Sequence, residues 1–291
     1  MEKILRYKAT KEILVRTVLK THFSMSERFT RKLKLNKRIK CNNKEIYLDY
    51  LLKPDDILTV DINFDETSEI LPENIPLDII FEDDYLIIIN KPANTVVHPT
   101  CLHREHTLAN AVQFYLNQHN IHTKIRFVNR LDKDTTGLII FAKSEYIQES
   151  FTQQMKQNTF EKEYIAVVKG DVRQKEGIIT FPITRDENSI MLRKIAPDGE
   201  NAVTHFEVLK KLKNGNTLMK FVLKTGRTHQ IRVHSKAIGH PILGDGLYDT
   251  ASSLIDRQAL HAYKVSFVHP VAHEKMEFFA DIPEDIKNII L

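Results

Sequence analysis

Tryptophan is absent from this 291-residue chain, cysteine occurs twice and glycine only 9 times. Two cysteines, Cys41 and Cys101, can build neither a disulfide framework nor a four-cysteine zinc site. Long apolar runs are missing as well. The longest are short, such as Leu86-Ile87-Ile88-Ile89, against the roughly 18 residues needed to cross a bilayer. The opening Met1 to Lys8 scatters charges among its apolar residues and does not read as a secretory leader. Charge of one sign is scarce too, with 42 Lys+Arg against 38 Asp+Glu and a formal net of +4. What is present, 42% hydrophobic and 27% charged residues, is enough apolar material to exclude global disorder. The length predicts one large domain or two unequal ones. Together these bounds predict a soluble cytoplasmic monomer with no membrane partner.

The small net charge hides an uneven distribution. Residues 1–63 carry 15 basic and 8 acidic side chains, a net of +7. Residues 64–76 carry four acids, Asp65, Glu66, Glu69 and Glu73, with Pro72 and Pro76 and no base. Residues 77–291 are nearly neutral, at 27 basic against 26 acidic. The pattern predicts a basic module (1–63), an acidic linker (64–76) and a large body (77–291).

Within the module, Ile13, Leu14, Val18 and Leu19 fall at helical spacing. Ser24 and Ser26 offer N-cap hydroxyls to a second helix carrying Arg28, Arg31, Lys32 and Lys34. Arg38 to Cys41 reads as a strand, Asn42-Asn43-Lys44 as a turn and Glu45 to Leu48 as the return strand. Pro54-Asp55-Asp56 then turns into Ile57 to Val60. Bases gathered on one helix suit phosphate contacts, although composition alone equally describes a solvated face. The order of elements resembles the small RNA-binding module first named for a ribosomal protein of the small subunit, with Asn42-Asn43 where Asn-Gly is usual and Asp55-Asp56 where Gly-Asp is usual. That resemblance implies that Arg28, Arg31, Lys32 and Lys34 contact RNA.

In the body, Leu77 to Phe81 and Tyr85 to Ile89 read as strands. From Thr107, a candidate N-cap, Leu108, Ala111, Val112, Tyr115 and Leu116 mark an amphipathic helix, and Ser144 offers to cap another through Ile147, Phe151 and Met155. Glu163–Lys169, Ala202–Lys211 and Thr217–Lys224 have strand character. Many strands, few helices and no regular alternation predict an α+β fold, with a mixed, mostly antiparallel sheet flanked by helices.

Three constellations carry chemistry. Asn129-Arg130-Leu131-Asp132-Lys133-Asp134-Thr135-Thr136-Gly137 lies between apolar stretches; it is either a reactive loop held by rigid strands or a polar turn. Alternation along Glu161 to Gly170 puts Tyr164 on one face with Ala166 and Val168, as a core residue or as a platform for a base. In Lys224 to His234, Thr228 offers to cap a helix whose first turn presents Arg227, His229 and Arg232 to an anion; the bland reading is a solvated helix.

Taken together, the three resemble the RluA-type RNA pseudouridine synthases. Arg130-Leu131-Asp132 with Thr135-Thr136-Gly137 is similar to their catalytic signature, Lys162-x-Tyr164-x-Ala166-x-Val168-x-Gly170 to their second motif, and Gly226 to His234 with Gly244-Asp245 to their third. Asn90-Lys91-Pro92-Ala93 fits as well. Asn129 and Thr136 stand where the family usually has His and Ser. The resemblance implies that Asp132 attacks the target uridine, on base or ribose, and that Arg227 pairs with Asp132. It implies further that Tyr164 stacks on the base and takes the C5 proton, that Leu223 closes the apolar side, and that Arg130 fills the gap left by a flipped base. No cofactor or metal is implied, and ribosomal RNA is favoured over transfer RNA as partner. His229 and Arg232 are expected on the RNA.

Other readings stay open at this level. Asp132-x-Asp134-x-Thr136 with Asp245 and Asp249 also fits a Mg²⁺-dependent aspartyl phosphohydrolase. His98, Cys101, His103 and His106 offer a loose zinc set. An RNA-binding protein without activity would keep the same surface.

Overall fold

The computed structural model describes residues 3–100, 103–189 and 191–291. The first segment runs β1 (Ile4–Lys8), β2 (Ile13–Leu14), α1 (Val15–Thr21), α2 (Glu27–Leu35), β3 (Ile39–Cys41), β4 (Lys44–Glu45), β5 (Leu51–Leu52) and β6 (Ile57–Asp61). Helix α2 starts where the sequence predicts, because the Ser26 hydroxyl accepts the Phe29 amide. Helix α1 is shorter than its spacing implies: Ile13 and Leu14 pair with β5 instead. A four-stranded sheet forms in the order β1-β6-β3-β4. Asn42 and Asn43 both take left-handed backbone, φ 48° and 68°, which gives the two-residue hairpin its twist. The return strand stops at Glu45 rather than Leu48.

The remainder runs β7 (Ile79–Glu82), β8 (Leu86–Lys91), α3 (Leu108–Gln118), β9 (Thr136–Ala142), α4 (Glu145–Lys156) and β10 (Glu161–Val168). Then follow β11 (Glu176–Ile179), β12 (Ile183–Arg185), β13 (Arg193–Ile195), β14 (Thr204–Lys211) and β15 (Thr217–Leu223). Helix α5 (Gln230–Ala237), β16 (Leu260–Val268), β17 (Lys275–Phe279) and α6 (Glu284–Ile290) complete it. Thr107 and Ser144 cap α3 and α4 as their positions predict. The main sheet has the order β11-β14-β15-β10-β16-β9-β8-β7, with β17 attached to β16. Among the described residues only the β9–β16 pairing is parallel, so the α+β, mostly antiparallel expectation holds.

Strands β8 and β9 have no polar face. Ile87, Ile89, Ile139 and Phe141 point into a core covered by α3, whereas Leu86, Ile88, Leu138 and Ile140 point into a second core on the opposite face. That second core is shared with the N-terminal segment, through Val18, Leu19, Phe29, Leu33, Leu58 and Val60. Phe29 stacks on Tyr146 of α4 at 5.9 Å, and the Tyr146 hydroxyl donates to the Phe23 carbonyl at 3.1 Å. The acidic stretch after it is pinned as well: Glu66 pairs with Arg126 at 2.7 Å, and the Glu73 backbone amide donates to the Asn110 carbonyl at 3.1 Å.

A shared core predicts shared unfolding. Phe29 is buried, and Phe29→Ala should cost about 3–5 kcal/mol for the chain as a whole. Urea unfolding followed by circular dichroism and by a fluorophore on β1 should show one coincident transition. Two separated transitions would show that residues 1–63 fold on their own account.

Candidate active site

The loop before β9 is built on backbone held by side chains. The Asn129 carboxamide acts as a peptide group, donating to the Leu138 carbonyl at 3.0 Å and accepting the Ile140 amide at 2.9 Å. An amide side chain thus replaces one strand partner and sets the direction in which Arg130 and Asp132 leave. Behind the loop, the fully buried Lys91 ammonium donates to the carbonyls of Pro92, Thr95 and Lys133 at 2.7, 3.0 and 2.8 Å. Burial pushes its pKa down to about 7, opposed by the charges of Asp134 and Asp132. Arg257 donates to the Asp134 carbonyl at 3.0 Å while its other edge grips Asp285. Gly137 follows with φ 109°, where a Cβ would collide with the Ala262 carbonyl of β16. The Thr136 hydroxyl meets His261 Nδ1 at 2.8 Å.

Asp132 therefore stands on a clamped loop, about a quarter exposed. Its Oδ2 accepts from an Arg232 guanidinium nitrogen at 3.0 Å and lies 3.7 Å from His229 Nε2. Among the described residues its Oδ1 has no protein partner. Arg232 makes a bidentate pair with the buried Asp245 at 2.7 and 2.6 Å, and its plane lies 5.1 Å from the Tyr248 ring centroid. The two carboxylates hold the Arg232 pKa above its ordinary value against the opposing effect of burial. His229 is the residue before α5 and has left-handed backbone, φ 56°. Its Nδ1 meets the Tyr248 hydroxyl at 2.8 Å, and that hydroxyl accepts the Arg193 amide. Burial holds the His229 pKa below its usual value, Arg232 and Arg193 acting in the same sense and Asp132 and Asp245 against it.

The expected Arg227–Asp132 pair is not formed. Arg227 pairs with Glu200 and donates to the Asn201 carbonyl at 3.0 Å, at the half-exposed rim. The cause is local. Gln230 accepts both the Arg227 amide and the Thr225 hydroxyl, and the left-handed turn at His229 starts α5 one residue later than a Thr228 cap would. The helix then buries its face from Gln230 to Ser235, which carries Arg232 inward and leaves Arg227 outside.

Tyr164 lies on β10 between β15 and β16, beside a bulge at Glu163/Tyr164. It is buried, and desolvation raises its phenol pKa, with the Asp132 charge adding to the effect. Asp132, Tyr164 and Leu223 line one cleft of about 420 Å³, with Arg130, Arg227, His229 and Arg232 around it. The exposed Arg130 stands at its edge.

Other expectations fare differently. Lys32 is not free for phosphate: it pairs with Glu145 at 2.7 Å and Glu66 at 3.5 Å and lies over the Phe64 ring, so it docks the N-terminal segment on the body. Arg28, Arg31 and Lys34 remain exposed. The phosphohydrolase set is dispersed, with Asp245 on Arg232 and Asp249 on Lys169. Cys101 lies outside the described residues; His98 packs edge-on to Phe127 and His106 pairs with Glu73. No cluster of three metal-ligating side chains occurs among the described residues. Lys91, Gln230, Tyr248 and Arg257 were not marked as site residues by the sequence. The one available signal was Lys91, a charge at the end of a strand that opens with the apolar run Leu86 to Ile89.

Known proteins are similar to this chain in sequence and fold. Residues 85–237 match the family described as RNA pseudouridylate synthase. An uncharacterized RNA pseudouridine synthase of Bacillus subtilis is 39% identical over 274 residues, covering 94% of this chain and 91% of its own length. The ribosomal large subunit pseudouridine synthase D of Vibrio cholerae is 35% identical over 250 residues, covering 81% of this chain and 76% of its own. The solved human RNA pseudouridylate synthase domain containing 1 shares the fold at a TM-score of 0.57, with 24% identity over 72% of this chain and 84% of that one. The fold is that of solved RNA pseudouridylate synthase domains. The chain belongs to the RNA pseudouridine synthase family, of the RluA type, and converts uridine to pseudouridine.

The two arginines should separate in kinetics. Arg232→Ala should lower kcat by about 100- to 1000-fold, the scale on which a preorganised charge partner acts. Arg227→Ala should act mainly on KM. Steady-state tritium release from 5-tritiated uridine in RNA measures both, and equal kcat losses would refute the assignment.

Proposed function

We propose that Asp132 is the nucleophile, acting on a uridine flipped out of ribosomal RNA, in the cytoplasm, as a monomer without metal or organic cofactor. The observation that carries this reading is the asymmetry of the carboxylate. Oδ2 is occupied by Arg232, with His229 nearby, whereas Oδ1 has no protein partner among the described residues, at a cleft that Tyr164 and Leu223 also line. A carboxylate held through one oxygen by a guanidinium and open at the other can form an intermediate that is released again.

The bond from N1 to the ribose breaks, the base turns, and a bond forms between C5 and the same ribose carbon. The proton lost from C5 is matched by the one that N1 gains, so the reaction is an isomerisation and consumes nothing. Tyr164 supports the base; its phenol passes its own proton to the N1 freed by glycosidic cleavage and, as phenolate, receives the C5 proton in exchange. Its phenol is protonated at the start because burial and the Asp132 charge both raise its pKa. Once Asp132 is esterified its charge is gone, one of those two influences disappears, and the phenol becomes easier to ionise. Flipping a base costs a few kcal/mol; Arg130, planar and exposed beside the cleft, fills the vacated place in the stack. Relatives named for the ribosomal large subunit support ribosomal RNA as the substrate. Arg28, Arg31 and Lys34 contact its backbone from α2.

Two measurements test this. Asp132→Asn should abolish pseudouridine formation while the chain stays folded and binds RNA; mapping pseudouridines in total RNA from cells with each variant locates the uridine. Asp134→Ala should retain substantial activity in EDTA, since its carbonyl rather than its carboxylate is held by Arg257. Turnover by Asp132→Asn would refute the nucleophile.

Replacing Arg28, Arg31 and Lys34 together by Ala should flatten the log–log salt dependence of RNA binding by about 2 units, with kcat unchanged. An unaltered slope would remove α2 from the interface.

A further inference from the structure

One cation of the cleft has no role in the arrangement above. Lys162 lies two residues before Tyr164 on β10, so both side chains leave the same face, about 6.6 Å apart along the strand. Both line the cleft. The Lys162 ammonium lies 5.6 Å from the Phe160 ring centroid and beside Gly226, where an added Cβ would come to 3.5 Å. The flanking carboxylates are turned to other lysines: Glu161 pairs with Lys224 at 3.4 Å and Glu163 with Lys264 at 3.5 Å. Among the described residues, no carboxylate, carbonyl or hydroxyl lies within bonding distance of the Lys162 ammonium. It is largely surrounded by protein while the residue keeps part of its surface open, and desolvation lowers its pKa. An ammonium withdrawn from water without a partner destabilises the fold. A ligand that brings the missing negative charge would remove that penalty.

We propose that Lys162 is the docking point for a backbone phosphate adjoining the target uridine. The proposal rests on the reading that the Asp132 cleft receives a uridine of RNA. With the base against Tyr164, the phosphates of the same nucleotide lie one sugar away, and a lysine stem rooted one strand step along spans that gap. A point charge on a flexible stem suits a phosphate, which presents oxygens in several directions. Contact with the backbone rather than the base also suits a residue that must not disturb rotation of the uracil.

The probe is a dye-labelled pentauridylate whose phosphates are replaced one at a time by neutral methylphosphonate, with binding to the full chain read by anisotropy. Wild type should lose about tenfold in affinity at one position. Lys162→Gln should bind the unmodified oligomer about tenfold more weakly, with a salt slope smaller by about 0.7, and should be indifferent to methylphosphonate at that position. Lys162→Arg should keep most of the affinity. The melting temperature of Lys162→Gln should equal or exceed that of wild type, because an unpaired, partly buried charge has been removed; a lysine kept for structure would lower it. Unchanged affinity in Lys162→Gln, or persistent sensitivity at that position, would overturn the proposal. If wild type fails to bind the pentauridylate at all, the uridine reading of the cleft falls and this proposal with it.

Discussion

Arg232 is held by one carboxylate so that it can hold another. Asp245 is almost wholly buried and takes two nitrogens of the guanidinium, which leaves the third directed at Asp132. Only a planar fork can satisfy both partners at fixed angles; a lysine would swing between them. The arrangement also resolves a cost. A buried Asp245 would be expensive alone, and a buried arginine likewise, but the pair is compensated and lends its geometry to a third, more exposed group. Tyr248 lies beneath the guanidinium and hands its hydroxyl to His229 and to the Arg193 amide. Thus the start of α5, the β12–β13 pair and Asp132 share one set of bonds.

From the other side, the same loop is gripped by its backbone. Lys91 reaches the loop through carbonyl oxygens alone, and Arg257, anchored on Asp285, reaches it through the Asp134 carbonyl. Neutral acceptors fix the position of the loop without engaging the Asp132 carboxylate itself. Gly137 allows β9 to run close beside β16, which places this clamp and the Tyr164 wall against each other. The carboxylate is set by side chains in front and by main chain behind.

Much of the fold was legible because its signals are local. Ser26, Thr107 and Ser144 each precede an apolar helical repeat, and each caps a helix as placed. Asp132 and Tyr164 were legible as lining one cleft because their motifs carry the family resemblance, and Leu223 because that resemblance implies it beside the third motif. What could not be read was long-range. β1 has no alternation of its own worth noting, and exists because Ile4 to Lys8 pair with residues 57–61. Choosing between Arg227 and Arg232 required the left-handed turn at His229, which no spacing rule supplies. Lys32 looked like one more base on a basic helix, and its partner Glu145 lies 113 residues away. Lys91, in the same way, is explained by a carbonyl 42 residues distant.

The continuous apolar core beneath β8 and β9 bears on how RNA would be measured. A module on a loose tether raises local concentration and accepts many spacings between its own contact and the site of reaction. Here Phe29, Tyr146 and Lys32 fasten α2 to the helix that packs behind the catalytic sheet. The exposed bases of α2 and the carboxylate of Asp132 are then two marks on a rigid ruler, and an RNA that meets both must present its backbone and its uridine at a single separation.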